Sequence, residues 1–290
     1  MITLEQALTR ASGQLAAHPD LRPTAVPDAA VLLMHLLAID RAALIAHPER
    51  KLDREQLADY QRLIERRLRF EPIQYILGTQ EFFGLSLRVT PAVLIPRPET
   101  ELLVEAFLGR LRDGQPATPK PLRLADVGTG SGAIAIALAH AIPQAQVMAF
   151  DLSPAALALA AENARSHHVT GRIRFLVSDL LEALPPDAEP FDAILSNPPY
   201  IPEGDLPTLH PQVREHEPAQ ALFAGPDGLD LYRRLIPQAA VRLQPGGLLA
   251  LEFGFGQREA LALLLAGWQS VEFLPDLQGI PRIALASKPD

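Results

Sequence analysis

The chain has no cysteine in its 290 residues. That absence excludes disulfides, thiolate nucleophiles, Cys-ligated zinc and iron–sulfur clusters together. Long hydrophobic runs are missing as well. The strongly apolar stretch from Ala133 to Ile142 falls far short of the ~18–20 residues that span a bilayer, so no membrane association is expected. The start Met1-Ile2-Thr3-Leu4-Glu5 lacks a basic segment followed by an apolar one, so no signal peptide is expected and a cytoplasmic location is. Positive charge is also in deficit, with 26 Lys and Arg against 34 Asp and Glu and a net charge of −8. Residues 1–77 carry ten groups of each sign, so the acidic excess lies wholly in the remainder. A protein that grips nucleic-acid phosphates normally shows a basic face; no stable nucleic-acid binding is expected here.

What is present is globular. The chain is 48% hydrophobic and 21% charged, with 28 prolines that punctuate it without forming a low-complexity tract. Its length falls between one large domain and two ordinary ones, since domains cluster near ~100–150 residues.

Residues 1–77 read as helices only. Thr3 and Gln6 form a capping-box pattern ahead of Leu4, Ala7, Leu8, Ala11 and Leu15 at helical spacing. Pro27 suits the first turn of a second helix, and Asp53 caps a third whose stripe is Leu57, Tyr60, Ile64 and Leu68. The Arg-rich side of that third helix reads as a solvated face. From Gly78 the pattern changes, and the segment around Gly84 suits a β-hairpin. A helix bearing Leu102, Leu103, Ala106 and Phe107 follows Pro98, and a proline-rich stretch over residues 115–121 leads onward. Seven strand candidates come next, at 124–128, 146–151, 173–179, 192–197, 248–253, 270–274 and 282–287. Helices are expected between the first five, which implies a parallel sheet covered on both faces. Eight residues between the last two strands are too few for a crossover, so that pair is expected to be antiparallel. The organisation expected is a helical domain at 1–77, a hairpin linker at 78–96 and an α/β domain at 97–290.

Three sets of residues could carry chemistry. Strand one runs through Asp126 and Val127 into Gly128-Thr129-Gly130-Ser131-Gly132 and directly into a helix, a turn that brings bare backbone against a ligand. Strand two ends at Asp151, placed to accept hydrogen bonds from a ribose diol. On these two features a nicotinamide dehydrogenase and an adenosyl-cofactor methyltransferase are nearly tied. Asn197-Pro198-Pro199-Tyr200 breaks the tie. Two prolines hold rigid carbonyl acceptors, the Asn side chain adds another, and Tyr200 offers a flat ring; the set suits a planar –NH2 group. Asp179, at the end of strand three, and Leu180 could meet an adenine, or Asp179 could be a plain cap. Thr100 suits a helix N-cap. His167 and His168 read as surface residues, and His210 and His216 as members of a polar loop; no metal site is expected.

With these residues placed, the chain resembles the HemK/PrmC family of peptide-chain release factor glutamine methyltransferases. The resemblance rests on Glu71–Gly78 (EPIQYILG), Glu81–Gly84 (EFFG), Leu94–Glu101 (LIPRPETE), Asp126–Gly132 and Ser196–Tyr200. It implies a class I S-adenosylmethionine-dependent methyltransferase, Rossmann-like, with a mostly parallel seven-stranded sheet ending in an antiparallel hairpin, plus a small N-terminal helical bundle that docks substrate. It implies methylation of the side-chain amide nitrogen (N5) of the glutamine in the GGQ motif of class-1 release factors, by direct in-line transfer, with S-adenosylhomocysteine as product. Carried over by motif, Gly128, Thr129, Gly130, Ser131 and Gly132 would line the cofactor's methionine end, and Asp151 would hold its ribose. Asp179 and Leu180 would flank its adenine. Asn197, Pro198, Pro199 and Tyr200 would hold the glutamine, with Asn197 also near the methyl group and Asn197, Pro198 and Tyr200 as the catalytic set. Two other readings are an adenine-N6 DNA or RNA methyltransferase and an inactive interaction protein on the same fold.

Overall fold

The computed structural model describes residues 2–114 and 121–289. The proline-rich connection expected over residues 115–121 therefore lies, Pro121 apart, outside the described residues. Two compact units emerge, Met1–Thr79 with Thr208–His216, and Gln80–Pro207 with Glu217–Asp290.

The first unit is helical: α1 (Leu4–Ala16), α2 (Ala25–Leu37), α3 (Arg41–Ala46), α4 (Arg54–Leu68) and α5 (Ile73–Leu77). The expected capping box of Thr3 with Gln6 forms, and Asp53 caps α4 as expected, in a second capping box with Gln56. The apolar stripes meet in one core that includes Leu4, Leu15, Leu32, Leu33, Tyr60 and Ile64. One arginine of α4 departs from the solvated-face reading. Arg67 is buried, and its Nε donates to Asp28 of α2 at 2.7 Å, so the charge is paired where it leaves water. Residues 208–216 correct another expectation, because Pro211–His216 form a short helix in place of a polar loop. His216 Nε2 lies 2.8 Å from the Arg69 carbonyl, and the His210 ring meets Phe70 edge-on.

The second unit opens with the hairpin β1 (Thr79–Phe82) and β2 (Leu85–Arg88) and the helix α6 (Pro98–Gly114). Strands and helices then alternate through β3 (Arg123–Val127), α7 (Ala133–Ala141), β4 (Gln146–Asp151), α8 (Pro154–Ser166) and β5 (Ile173–Val177). After β6 (Phe191–Ser196) come the short helix of the first unit, α9 (Pro211–His216), then α10 (Asp230–Arg242), β7 (Leu243–Glu252), α11 (Arg258–Leu264), β8 (Gln269–Pro275) and β9 (Pro281–Ser287). The sheet has seven strands in the order β5-β4-β3-β6-β7-β9-β8. Pairs among β3 to β7 are parallel; β7–β9 and β8–β9 are antiparallel. This is the class I methyltransferase arrangement.

Two details depart from expectation. No helix forms between β5 and β6, where Pro185, Pro186 and Pro190 interrupt any regular run and turns carry the chain across. Strand β5 stops at Val177, so Asp179 stands beyond the strand in that turn. Among the described residues, no helix is long and apolar enough to cross a membrane.

Candidate active site

The chain leaves β3 to one side for β4 and later returns to the other side as β6, so the strand order reverses between β3 and β6. Open α/β sheets bind ligands at the carboxyl edge of such a switch point. Register decides which residues gather there. Val127 pairs with Phe150 on one side and with Ser196 on the other, and Ser196 pairs with Leu251. The next residue along each strand is Gly128, Asp151, Asn197 or Glu252. These four therefore stand in a row across the edge of the sheet.

A cavity of about 360 Å³ lies at this edge, within the ~300–1,000 Å³ usual for small-molecule sites. Gly128, Gly130, Asp151, Asp179, Leu180, Asn197, Pro198 and Pro199 line part of it, with apolar walls from Val127 and Phe150. The other three residues of the glycine turn do not line it. Thr129 Oγ1 donates to Asp126 Oδ2 at 2.6 Å, and the Ser131 carbonyl accepts from Asn163 Nδ2 at 2.8 Å. Gly132 lies against a helix, where a Cβ would stand 3.0 Å from Ile136 Cδ1 and 3.1 Å from Ala160 Cβ. Tyr200 does not line the cavity; its hydroxyl donates to Glu252 Oε1 at 3.3 Å, and a Cβ on Gly254 would lie 3.0 Å from its ring.

The loop is held from beneath. The Phe150 carbonyl accepts from both Gly128 N and Thr129 N, at 2.8 and 2.9 Å. Asp151 accepts from Gly130 N through Oδ2 at 2.9 Å and from Ser153 N through Oδ1 at 2.8 Å. A carboxylate offers about four lone-pair positions, so acceptor capacity is left for a ligand. Burial pushes Asp151 above the usual carboxylate range, and its backbone donors pull it back. Asp126 is fully buried and rises to about 7, chiefly by desolvation, with its Oδ1 lacking any hydrogen-bond partner. On the outer rim Asp179 pairs with Arg234 at 2.7 Å, and Leu180 adopts a left-handed φ of 50°, a conformation that costs a non-glycine residue about 1 kcal/mol or more.

Four residues of this assembly were not singled out from sequence. Glu252 is buried and accepts from Thr100 Oγ1 at 2.6 Å; burial raises it to about 7. Thr100 is therefore no N-cap: it lies inside α6, and its oxygen also accepts from Asn197 Nδ2 at 2.9 Å. Gln257 Nε2 donates to the Tyr200 carbonyl at 2.9 Å. Asn163 joins the glycine turn to Arg88 of the hairpin. Glu217 anchors Ile95 N at 3.2 Å and Arg97 at 2.5 Å, fixing the Pro96–Pro98 turn. The signal for Glu252 existed, since an acid ending an apolar strand is the same pattern that marks Asp151.

A glycine turn after the first parallel strand, an acid after the second and the Asn-Pro-Pro-Tyr loop after the fourth, all on one sheet edge, define a class I methyltransferase. Solved structures agree on the fold. A methyltransferase from Pyrococcus furiosus matches with a TM-score of 0.51 and 18% identity, over 72% of this chain and 91% of that one. A Thermus thermophilus 16S rRNA methyltransferase in complex with AdoMet and guanosine matches with 0.54 and 23%, over 72% and 49%. Residues 6–78 match the PrmC N-terminal domain and residues 124–216 a methyltransferase domain. The chain is 42% identical over 290 residues to the release factor glutamine methyltransferase of Koribacter versatilis, covering 99% of each. It is 46% identical over 288 residues to that of Moorella thermoacetica, covering 98% of each. The chain belongs to the release factor glutamine methyltransferase family.

Proposed function

We propose that this chain methylates the side-chain amide nitrogen of the GGQ glutamine of class-1 release factors, with S-adenosylmethionine as methyl donor. The observation that carries the reading is the placement of Asn197 beside Gly128, where a Cβ would lie 3.9 Å from the Asn197 carbonyl. A group acceptor-rich enough for an –NH2 then adjoins the bare backbone of the glycine turn.

The residues present fit the cofactor. Asp151 keeps acceptor capacity for a ribose diol, and Val127, Phe150 and Leu180 offer apolar walls for a base. A cationic methionine end, with its ammonium and sulfonium, would favour the ionised form of Asp126, whose Oδ1 lies partnerless beneath the turn. When bound, the cofactor supplies a methyl group already activated by the sulfonium. Asn197 Oδ1 and the Pro198 carbonyl each accept one N–H of the substrate amide. Those two bonds direct the nitrogen lone pair toward the methyl group and favour pyramidalisation as positive charge develops. The substrate nitrogen gains the methyl group as the methyl–sulfur bond breaks, the thioether S-adenosylhomocysteine is the other product, and one amide proton is given up to water. The enzyme's part is orientation, without a covalent enzyme intermediate. Residues 1–77 are the proposed docking module for the release factor, 78–96 the linker and 97–290 the catalytic domain.

Labelled cofactor, purified release factor and the full chain test the reading. Transfer to the wild-type factor, with none to a factor whose GGQ is changed to GGA and none to DNA, is the expected result. Label on DNA adenine in place of protein would overturn it in favour of the adenine-N6 reading.

A further inference from the structure

An asparagine amide has an oxygen end and a nitrogen end, and only the oxygen end can receive an N–H from substrate. Which end of Asn197 faces the cavity is set by what holds the other. Thr100 Oγ1 carries one proton and stands 2.6 Å from Glu252 Oε2 and 2.9 Å from Asn197 Nδ2. An ionised carboxylate can only accept. Ionised Glu252 therefore accepts a hydrogen bond from the Thr100 hydroxyl, Thr100 offers a lone pair, and the Asn197 nitrogen end must turn to it. Oδ1 is left for the cavity side.

A neutral Glu252 permits the opposite polarity. Its carboxyl O–H can donate to Thr100 Oγ1, whose own hydroxyl then donates to Asn197 Oδ1 after the amide rotates by half a turn. The –NH2 of Asn197 would then oppose the –NH2 of the substrate, two donors with no acceptor between them. We infer that Glu252, acting through Thr100, is a positioning residue whose charge keeps the oxygen of Asn197 directed at the substrate nitrogen. The inference rests on the glutamine-amide reading given above.

Its surroundings give the charge little other purpose. Glu252 is 1% exposed, and Arg282 of β9 is engaged with Asp276 at 3.5 Å. Glu99 and Thr100 from α6, Tyr200 from the loop after β6 and Tyr232 from α10 face the same carboxyl. Tyr200 is raised by burial, and Tyr232 donates to the Glu252 backbone carbonyl at 2.8 Å, so both hydroxyls keep their protons. Burial and Glu99 oppose ionisation of Glu252; the Thr100 and Tyr200 hydroxyls and Arg282 favour it, and it titrates near neutrality at about 7. An acid held at that balance switches the polarity of the chain within an ordinary pH range.

Single-turnover methylation of release factor by the full chain at saturating cofactor, from roughly pH 6 to 8, reads this. The wild-type rate is expected to rise to a plateau as pH increases. Thr100→Val keeps the shape and removes the oxygen; its plateau should fall about 10–100-fold, as for a misplaced reacting group, with cofactor affinity unchanged by calorimetry. Thr100→Ser restores most of the rate. In Glu252→Gln, the fall toward low pH disappears. A wild-type rate in Thr100→Val, no difference between Ser and Val, or an unaltered pH profile in Glu252→Gln would each overturn the inference. If Thr100→Val fails to bind cofactor, Glu252→Gln decides. A wild-type chain that binds cofactor yet leaves the release factor unlabelled overturns the glutamine reading and this inference with it. An active wild type with indifferent variants overturns the positioning alone.

Discussion

At the scale of single residues, the site separates groups that touch ligand from groups that aim them. Asn197 is expected to act in the transition state, because its oxygen matters most as charge builds on nitrogen. Asn197→Ala should lower turnover about 10²–10³-fold, by analogy with loss of one preorganised oxyanion-hole donor, while cofactor affinity changes little. Single-turnover rates set beside calorimetry separate the two. Asp151 should show the reverse. Asp151→Ala removes an acceptor worth roughly 1.5–3 kcal/mol per charge-assisted bond, and cofactor binding should weaken by about tenfold or more. It also releases Gly130 N, so unfolding must be followed in the same preparation. Unchanged cofactor affinity would remove Asp151 from the site. These two side chains were legible in sequence because Asp151 ends a strand and Asn197 follows one at the ligand edge. Glu252 satisfied the same rule, but its meaning depends on Thr100, 152 positions away, and no local pattern joins them.

At the scale of elements, glycine positions in helices and turns make contrasting predictions. Gly132 has φ of +85°, and a Cβ there meets Ile136 and Ala160. Gly132→Ala should destabilise the chain by about 1–3 kcal/mol through strain and overpacking, measured by denaturant unfolding. Gly13 lies inside α1 with nothing within 4 Å of a Cβ. Gly13→Ala should stabilise by roughly 0.5–1 kcal/mol, the ordinary helix-propensity gain. The caps of α1 and α4 could be read directly, because a capping box is a contact between residues three apart. The segment between β5 and β6 could not be read as easily, since a crossover was expected to be helical. Prolines there deny a helix, and the turns suffice to reach β6. Residues 208–216 are helical for a reason their own sequence does not carry. Their short helix belongs to a unit whose other members lie more than a hundred positions earlier.

At the scale of the molecule, buried acids set the response to pH. Asp126 rises from 3.8 to about 7 and Glu252 from 4.5 to about 7. Between those values the folded chain holds protons that the unfolded chain has released. Stability therefore falls as pH rises from about 4.5 through about 7 and levels off above. The unfolding temperature should follow that course, and Asp126→Asn with Glu252→Gln should flatten it. The rate is expected to move the opposite way, since transfer needs Glu252 ionised. The helical unit carries a separate prediction. Removing residues 1–77 should reduce methylation of intact release factor more than it weakens cofactor binding. Equal activity without them would make the segment an appendage. The deletion also strips His210 and His216 of their partners Asp20 and Arg69.

Local sequence sufficed for the helical start, the parallel α/β body, the glycine turn, Asp151 and the Asn-Pro-Pro-Tyr loop. Each rests on periodicity or on residues adjacent along the chain, where short-range sterics and hydrogen bonding decide the outcome. Tertiary structure alone decided which of these residues meet. The parallel register set Gly128, Asp151, Asn197 and Glu252 side by side. Packing buried Arg67 and Glu252, and it tied Thr129 to Asp126, Ser131 to Asn163 and Tyr200 to Glu252. Burial and charge state depend on what surrounds a group in three dimensions, and neighbours in the sequence do not specify that.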